Sequence, residues 1–130
     1  MNGSSNLNHD VANKIQSPIK WVGGKRKQLQ YIIPKILARL KCSNHYIEPF
    51  VGGGSVIIEL LNQCLINNIN HVAFFCSDVN PILIAMFNEI MNEPYQLKQK
   101  LKQYDNMKDE TCYYRIRQEY NIDPSVYKFI

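Results

Sequence analysis

The fold of this chain is organised around the stretch Tyr46-Ile47-Glu48-Pro49-Phe50-Val51-Gly52-Gly53-Gly54-Ser55, which is followed directly by an apolar run, residues 56–58. This pattern is typical of the end of a buried strand, a glycine loop and the start of a helix. Consecutive glycines let the backbone take positive φ angles and approach a ligand closely, because they carry no Cβ. The helix predicted to open near Ser55 would direct free N–H groups and the positive end of its dipole toward that ligand. The alternative is a plain turn between two elements of a core.

Length and composition indicate one globular domain. The chain has 130 residues, 45% of them hydrophobic and 20% charged, and its net charge of +4 permits a polyanionic partner without requiring one. No apolar run reaches the roughly 18 residues of a membrane span, and the N-terminus lacks a signal-peptide core. The four cysteines form no CxxC pair and the three histidines are scattered. We therefore predict an intracellular protein with reduced thiols, no metal site and no membrane association.

The N-terminal third of the chain begins with a polar segment and continues with a predicted helix. Residues 1–14 are polar and aperiodic, which predicts a disordered leader. Apolar residues at helical spacing predict a helix over 25–40, in which Pro34 should cause a kink or a restart. The basic residues of this helix occupy mostly its other face, where they form either a solvated surface or contacts to phosphate; they are Lys25, Arg26, Lys27, Lys35, Arg39 and Lys41.

The middle of the chain alternates between strands and helices. Strands are predicted at 45–50 and 71–77, the second of them short, apolar and buried on both faces. A helix over 55–67 separates them, and Pro81 suits the first turn of another helix that ends near Asn92. This order is half of a doubly wound α/β sheet. Two further helices are predicted at 94–104 and 109–120.

The acidic residue Asp78 narrows the choice of ligand. It follows the second predicted strand, where a carboxylate can accept hydrogen bonds from ribose hydroxyls while the glycine loop faces the other end of the ligand. Dinucleotide enzymes and S-adenosylmethionine (AdoMet) enzymes share this spacing. The third glycine of G-x-G-x-x-G is missing after Gly54, which argues against a pyrophosphate-bearing ligand. A sulfonium with an amino acid tail has no such need, and Glu48 and Lys25 could hold opposite charges around it.

Several motifs resemble the Dam family of DNA adenine-N6 methyltransferases. Three of them are Pro18-Ile19-Lys20-Trp21-Val22-Gly23-Gly24-Lys25, Ile47-Glu48-Pro49-Phe50-Val51-Gly52-Gly53-Gly54-Ser55-Val56 and Ser77-Asp78-Val79-Asn80-Pro81. They are similar to the family's N-terminal cofactor segment, glycine-loop motif and ribose-binding acidic motif. The stretch Tyr113-Tyr114-Arg115-Ile116-Arg117-Gln118-Glu119-Tyr120-Asn121 also looks like the family's tyrosine-rich helix. The resemblance covers 17–130 and implies a Rossmann-like AdoMet-dependent methyltransferase sheet with flanking helices.

The resemblance also implies roles for single residues. Asp78 would bind the ribose hydroxyls of S-adenosyl-L-methionine, and Val79 would cover the adenine. The methionine end would be bordered by Trp21, Gly23 and Lys25. The residues that would line the rest of the pocket are Glu48, Pro49, Phe50, Gly52 and Ser55.

The family's catalytic motif, Asp-Pro-Pro-Tyr, has no counterpart here. The only Asp-Pro is Asp123-Pro124, followed by Ser125-Val126. In this class the motif follows a target-recognition region, and both are expected beyond Ile130. We therefore expect an incomplete, N-terminal portion: an AdoMet-binding α/β part over 15–93, and a helical segment over 94–130 that leads into the missing part.

Three functional hypotheses follow. The first is the cofactor-binding half of a DNA adenine-N6 methyltransferase, with double-stranded DNA and a complementing C-terminal half as partners, located in the cytoplasm or at the nucleoid. The second is a dinucleotide-binding oxidoreductase fragment. The third is a fragment that binds cofactor or a partner without catalytic activity.

Overall fold

A computed structural model of the chain describes residues 14–107 and 109–130. The predicted leader, residues 1–14, lies outside the described residues except for Lys14. A short 3₁₀ turn, Arg26–Gln28, precedes the first helix. The elements that follow are α1 (Leu29–Leu40), β1 (His45–Glu48), α2 (Ser55–Ile66), β2 (Ala73–Cys76), α3 (Pro81–Asn92), α4 (Pro94–Lys102), α5 (Glu110–Ile122) and α6 (Val126–Phe129). None of these helices is long and apolar enough to cross a membrane.

Helix α1 runs through Pro34 without a restart. Proline has no N–H to donate to the carbonyl of Gln30, one turn earlier. Both residues are exposed, so water can satisfy that carbonyl and the helix continues. The other face of α1 buries Ile33 and Leu40. The first turn of the predicted helix over 25–40 forms the 3₁₀ turn instead.

Strands β1 and β2 pair in parallel, with Tyr46 opposite Phe74 and Ile47 opposite Phe75. Helix α2 connects them, so the three elements form a βαβ unit. Because successive strand residues face opposite sides of a sheet, Tyr46 and Phe74 pack toward the core while Ile47 and Phe75 remain 68% and 53% exposed. The prediction that the second strand is buried on both faces is wrong: within the described residues, only one face of this sheet is covered.

Two apolar clusters hold the described residues together. The first joins α1 and α2 to the covered face of the sheet around Ile33, Leu40, Leu60 and Cys64. The second joins α3, α4 and α6 around Leu83, Met86, Leu97 and Val126. Burying a side chain of this size stabilises the fold by roughly 1.5–3 kcal/mol, so each cluster holds together the helices and strands that it joins.

The mixed α/β class is confirmed, as a two-stranded parallel sheet with helices. Two loops follow the carboxyl ends of the strands. The glycine loop (residues 49–54) follows β1, and the acidic turn (residues 77–80) follows β2. Parallel strands end at the same edge of a sheet, so the two loops lie side by side.

Candidate functional site

The glycine loop and the acidic turn are joined by the carboxylate of Asp78. Its Oδ2 accepts a hydrogen bond from the backbone N–H of Gly52 at 2.9 Å, and its Oδ1 accepts one from the N–H of Asn80 at 2.9 Å. These N–H groups, that of Asn80 foremost, hold the pKa of Asp78 below its usual range. Each carboxylate oxygen keeps a second acceptor position. Asp78 is therefore an ionised carboxylate at the edge of the sheet, and it can still accept hydrogen bonds from ligand hydroxyls.

Backbone bonds bring the two loops into register. Ser77 donates its N–H to the carbonyl of Glu48 at 3.0 Å, and its carbonyl accepts the N–H of Val51 at 3.0 Å. Its hydroxyl donates to the carbonyl of Pro49 at 3.1 Å. Ser77 thus continues the ladder of the sheet one residue past the end of β2.

The glycines of the loop are required by backbone conformation and by close packing. Gly52 and Gly54 have φ angles of +52° and +77°, and Gly54 caps the N-terminus of α2. A Cβ at Gly53 would lie 2.7 Å from the Cβ of Trp21, and one at Gly54 would lie 2.7 Å from the ring of Phe87. The sequence predicts glycines that let a ligand approach; the structure adds that side chains of this chain occupy the space beside all three of them.

The N-terminal arm (residues 14–25) forms one wall of the site. Its Ser17 hydroxyl donates to the carbonyl of Gly53, and the N–H of Lys25 donates to Ser55 Oγ at 3.1 Å. Between these contacts Trp21 lies against the glycine loop, 37% exposed. The arm, the 3₁₀ turn and the start of α2 border an open cavity of about 420 Å³, lined by Ser17, Ile19, Lys20, Trp21, Gly24, Arg26, Lys27, Gln28, Gly53 and Ser55.

Glu48 supplies a second carboxylate, at the last position of β1. Its Oε2 accepts the hydroxyl of Tyr46 at 3.0 Å. Burial raises the pKa of Glu48, although the Tyr46 hydroxyl and the N–H of Ile57 partly oppose that rise. On the neighbouring strand, burial and the charge of Glu48 raise the pKa of the Cys76 thiol to about 11. A half-buried carboxylate of this kind favours a cationic ligand that restores its charged form.

We expect Glu48→Gln to stabilise the ligand-free chain at neutral pH. The folded state raises the pKa of Glu48, so it binds a proton more tightly than the unfolded state does. The contribution of Glu48 to stability is therefore greatest below its ordinary pKa, near 4, and is lost as the pH rises through its folded-state pKa. The glutamine amide avoids this loss and can still accept the Tyr46 hydroxyl. Thermal unfolding of both proteins between pH 4 and 8 should show an advantage for the variant that shrinks as the pH falls. An advantage independent of pH would contradict the cause given for it.

Of the remaining predicted site residues, Gly23 and Lys25 lie on the arm, and Phe50 and Val79 lie on the two loops. Gly23 has a φ of +77° with no atom near the position of a Cβ, and Lys25 meets the site through its backbone. The side chains of Phe50 and Val79 are 82% and 92% exposed. The structure thus brings Trp21, Gly52, Ser55 and Asp78 together and leaves two apolar side chains, one on each loop, open to solvent.

Sequence reasoning missed one residue that shapes this site. Asn62 is buried in α2, 5% exposed, and bonds to the backbone of the arm. The available signal is an uncharged amide in the apolar run that forms α2.

Within residues 14–107 and 109–130, no group of three or more His, Cys, Asp or Glu is placed to hold a metal ion.

Comparison with known proteins identifies the family. The family model of D12 class N6 adenine-specific DNA methyltransferases matches residues 21–128. Type II methyltransferase M.MjaIII of Methanocaldococcus jannaschii is 31% identical over 79% of this chain and 37% of its own length. Type II methyltransferase M1.LlaDCHI of Lactococcus lactis subsp. cremoris is 32% identical over 75% of this chain and 30% of its own length. The DNA adenine methylase of Serratia marcescens is 26% identical over 85% of this chain and 37% of its own length.

The chain spans about a third of the length of the curated relatives that it matches. The family model covers both loops of the site and the last part of the arm, residues 21–25. The chain belongs to the family of D12 class N6 adenine-specific DNA methyltransferases.

Proposed function

We propose that this chain is the cofactor-binding part of an enzyme that transfers a methyl group from AdoMet to N6 of adenine in double-stranded DNA. The observation that carries the proposal is the bond between Asp78 and Gly52, which joins two motifs 26 residues apart at the carboxyl edge of a parallel sheet. That edge is where open α/β sheets bind nucleotide-like ligands. Family membership supports the reaction class, and this geometry supports the carboxyl edge of the sheet as the proposed cofactor site.

The residues at this edge fit the chemistry of AdoMet. Asp78 keeps acceptor positions for the two ribose hydroxyls, and the exposed side chain of Val79 is available to cover the adenine ring. Glu48 offers a carboxylate to the positive charges of the sulfonium and amino groups, whereas Lys25 would meet the carboxylate of the methionine end. Trp21 and Gly23 would border that end, and the loop residues Pro49, Phe50, Gly52 and Ser55 would line the pocket. AdoMet supplies the electrophilic methyl group, and these residues bind and orient it.

The catalytic step requires groups other than these. An adenine that receives a methyl group must be flipped from the duplex, stacked and held by acceptors at its amino group. The 130 residues of this chain contain Asp-Pro only at Asp123-Pro124. We therefore propose that a C-terminal half supplies the catalytic motif, and that the pair acts on DNA inside the cell, in the cytoplasm or at the nucleoid. Alone, the chain would bind cofactor or partner without catalysis.

The same proposal assigns different roles to two parts of the chain. The AdoMet-binding part comprises residues 15–93, and the helical segment 94–130 leads toward target recognition. Leu97 of that segment packs in one cluster with Leu83 and Met86, so the two parts share a core. Membership of a methyltransferase family removes the reason for the dinucleotide-binding oxidoreductase alternative.

We expect Asp78→Ala to weaken AdoMet binding by roughly 10- to 100-fold, because two charge-assisted hydrogen bonds to the ribose are lost. Calorimetric titration with AdoMet, of the chain complemented by the downstream half of a relative, measures the effect. A matched control is Asp109→Ala: Asp109 accepts the N–H of Cys112 at 2.8 Å as the cap of α5. It resembles Asp78 in chemistry but lies outside the site, so its loss should leave AdoMet affinity unchanged. An Asp78→Ala variant that binds as tightly as the parent would remove Asp78 from the cofactor site.

A further inference from the structure

Helix α2 and the glycine loop hold the N-terminal arm at four places. At the start of the arm, Lys14 Nζ pairs with Glu59 Oε2 at 2.7 Å, and the backbone of Ile15 bonds to the side chain of Asn62. Farther along are the contacts already described, from Ser17 to Gly53 and from Lys25 to Ser55. The arm has no regular secondary structure before the 3₁₀ turn at Arg26. Its path is therefore set by these contacts and by the packing of its side chains.

Asn62 makes the most specific of the four contacts. Its Oδ1 accepts the N–H of Ile15 at 3.2 Å, and its Nδ2 donates to the carbonyl of the same residue at 2.8 Å. One amide thus satisfies both backbone groups of one residue, as a neighbouring strand would. Among the described residues, Asn62 is the one buried polar side chain. Buried amides are costly to leave unbonded, so this side chain strongly favours the docked arm over a detached one.

The docked arm carries Trp21 to the glycine loop. Between the anchor at Ile15 and the tryptophan, Ile19 packs against the second apolar cluster. The Trp21 ring lies 6.1 Å from that of Phe129, and its side chain fills the space that a Cβ at Gly52 or Gly53 would need. The arm therefore connects α2 to the helices of the second cluster. The position of Trp21 thus depends on how the start of the arm is held on α2.

We propose that Asn62 is a positioning residue for the candidate cofactor site: by bonding the backbone of Ile15 it holds the arm on α2 and so keeps Trp21 against the glycine loop. The anchoring part of this proposal rests on the contacts alone. The consequence for AdoMet affinity rests in addition on the proposed function.

The chain offers a direct reporter, because Trp21 is its one tryptophan. Removing the Asn62 amide in Asn62→Ala should release the arm, shift the Trp21 emission to longer wavelength and raise its acrylamide quenching constant at least about twofold. The fluorescence is measured at submicromolar concentration, without ligand, and circular dichroism checks that the helices persist. Asn67→Ala is the matched control: Asn67 lies just past the end of the same helix and donates to the carbonyl of Gln63 at 2.7 Å. It should leave Trp21 unchanged. A folded Asn62→Ala chain with parental quenching overturns the proposal.

A second variant keeps the test decisive if Asn62→Ala fails to fold. Ile15→Pro removes the N–H that Asn62 Oδ1 accepts and leaves the interior of α2 intact. It should raise quenching as Asn62→Ala does, because it breaks the same anchor from the side of the arm. If Asn62→Ala is unfolded and Ile15→Pro quenches as the parent does, the anchor at Ile15 does not hold Trp21 and the proposal is wrong.

Calorimetric titration with AdoMet separates the positioning role from a structural one. If only the docked arm completes the site, the apparent dissociation constant rises by the inverse of the docked fraction, so a fall to roughly one tenth docked gives about a tenfold rise. The loss of affinity in each variant should therefore match the fraction of released Trp21. Released Trp21 with parental affinity overturns the positioning role. A parent chain that binds no AdoMet overturns the proposed function, while the fluorescence still decides whether Asn62 anchors the arm.

Discussion

Gly52→Val is expected to abolish AdoMet binding while the chain keeps most of its helical content. Gly52 adopts a φ of +52°, and a Cβ at this position would lie 3.0 Å from Cδ1 of Trp21. A β-branched residue held at such a φ costs of order 1–3 kcal/mol. If the backbone relaxes to avoid this cost, the Gly52 N–H leaves Asp78 and the joint between the two loops is lost. Helices α2 and α3 have cores of their own and should persist.

A matched control separates backbone strain from loss of the site. Asn68, just past the end of α2, has a φ of +53° and is exposed. Asn68→Val therefore imposes nearly the same strain at the opposite end of the same helix. We expect it to lower the unfolding temperature, as Gly52→Val does, but to leave the AdoMet dissociation constant unchanged. Circular dichroism and calorimetric titration measure both quantities. If Gly52→Val binds AdoMet as the parent does, the glycine loop is only a turn.

The elements next to the site could be predicted from sequence because their signals are local. Pro81 at the first turn and Asn80 as the cap, whose side chain accepts the N–H of Ile82 at 3.3 Å, mark the start of α3. Helix α2 opens at Ser55, as the glycines before it predict. The proximity of Asp78 and Gly52 also follows from a general rule, since parallel strands deliver their following loops to one edge.

Contacts between distant segments could not be predicted from the same signals. Nothing in the local pattern indicates that Ser55 accepts a backbone N–H from Lys25, or that Trp21 fills the space beside Gly53. The sequence interpretation placed Ser55 and Trp21 at a ligand, and the structure shows that each also holds the arm against the loop. Asn62 was missed for the same reason: its partner, Ile15, is 47 residues away.

The burial of the sheet was predicted wrongly because periodicity does not report the number of layers. An apolar run such as residues 71–77 is typical of a strand covered on two faces. In the structure one face of β2 meets the helices, whereas Phe75 on the other remains 53% exposed. The sequence of β2 thus suits a more complete sheet than the described residues form.

The unpaired edge of β1 is expected to make the chain alone associate. Strand β1 pairs with β2 along one edge, and no other strand among the described residues pairs with its opposite edge. Unpaired N–H and C=O groups of an edge strand invite pairing with another chain. The open face beside them carries Ile47, 68% exposed, and Phe75. We therefore expect the 130-residue chain alone to associate or to be poorly soluble, and to transfer no methyl group to DNA.

A polypeptide that supplies the downstream half of a relative should reverse both properties. Its strand would pair with the free edge of β1 and bring an Asp-Pro-Pro-Tyr motif toward the cofactor. The assay is tritium transfer from labelled AdoMet to an adenine-containing duplex, with each polypeptide alone and with both together. Sedimentation of the same samples reports whether the chain has changed from an aggregate to a defined complex.

Ile47→Lys separates solubility from catalysis in this experiment. A lysine on the open face of β1 should reduce self-association, because charged side chains on exposed strands oppose edge pairing. It adds no acceptor for the adenine amino group, so the soluble variant alone should still transfer no methyl group. The same lysine should also weaken complementation, since it lies where the downstream half would pack. Transfer by the monomeric Ile47→Lys chain, or by the monomeric parent, would show that these 130 residues already contain a complete catalytic site.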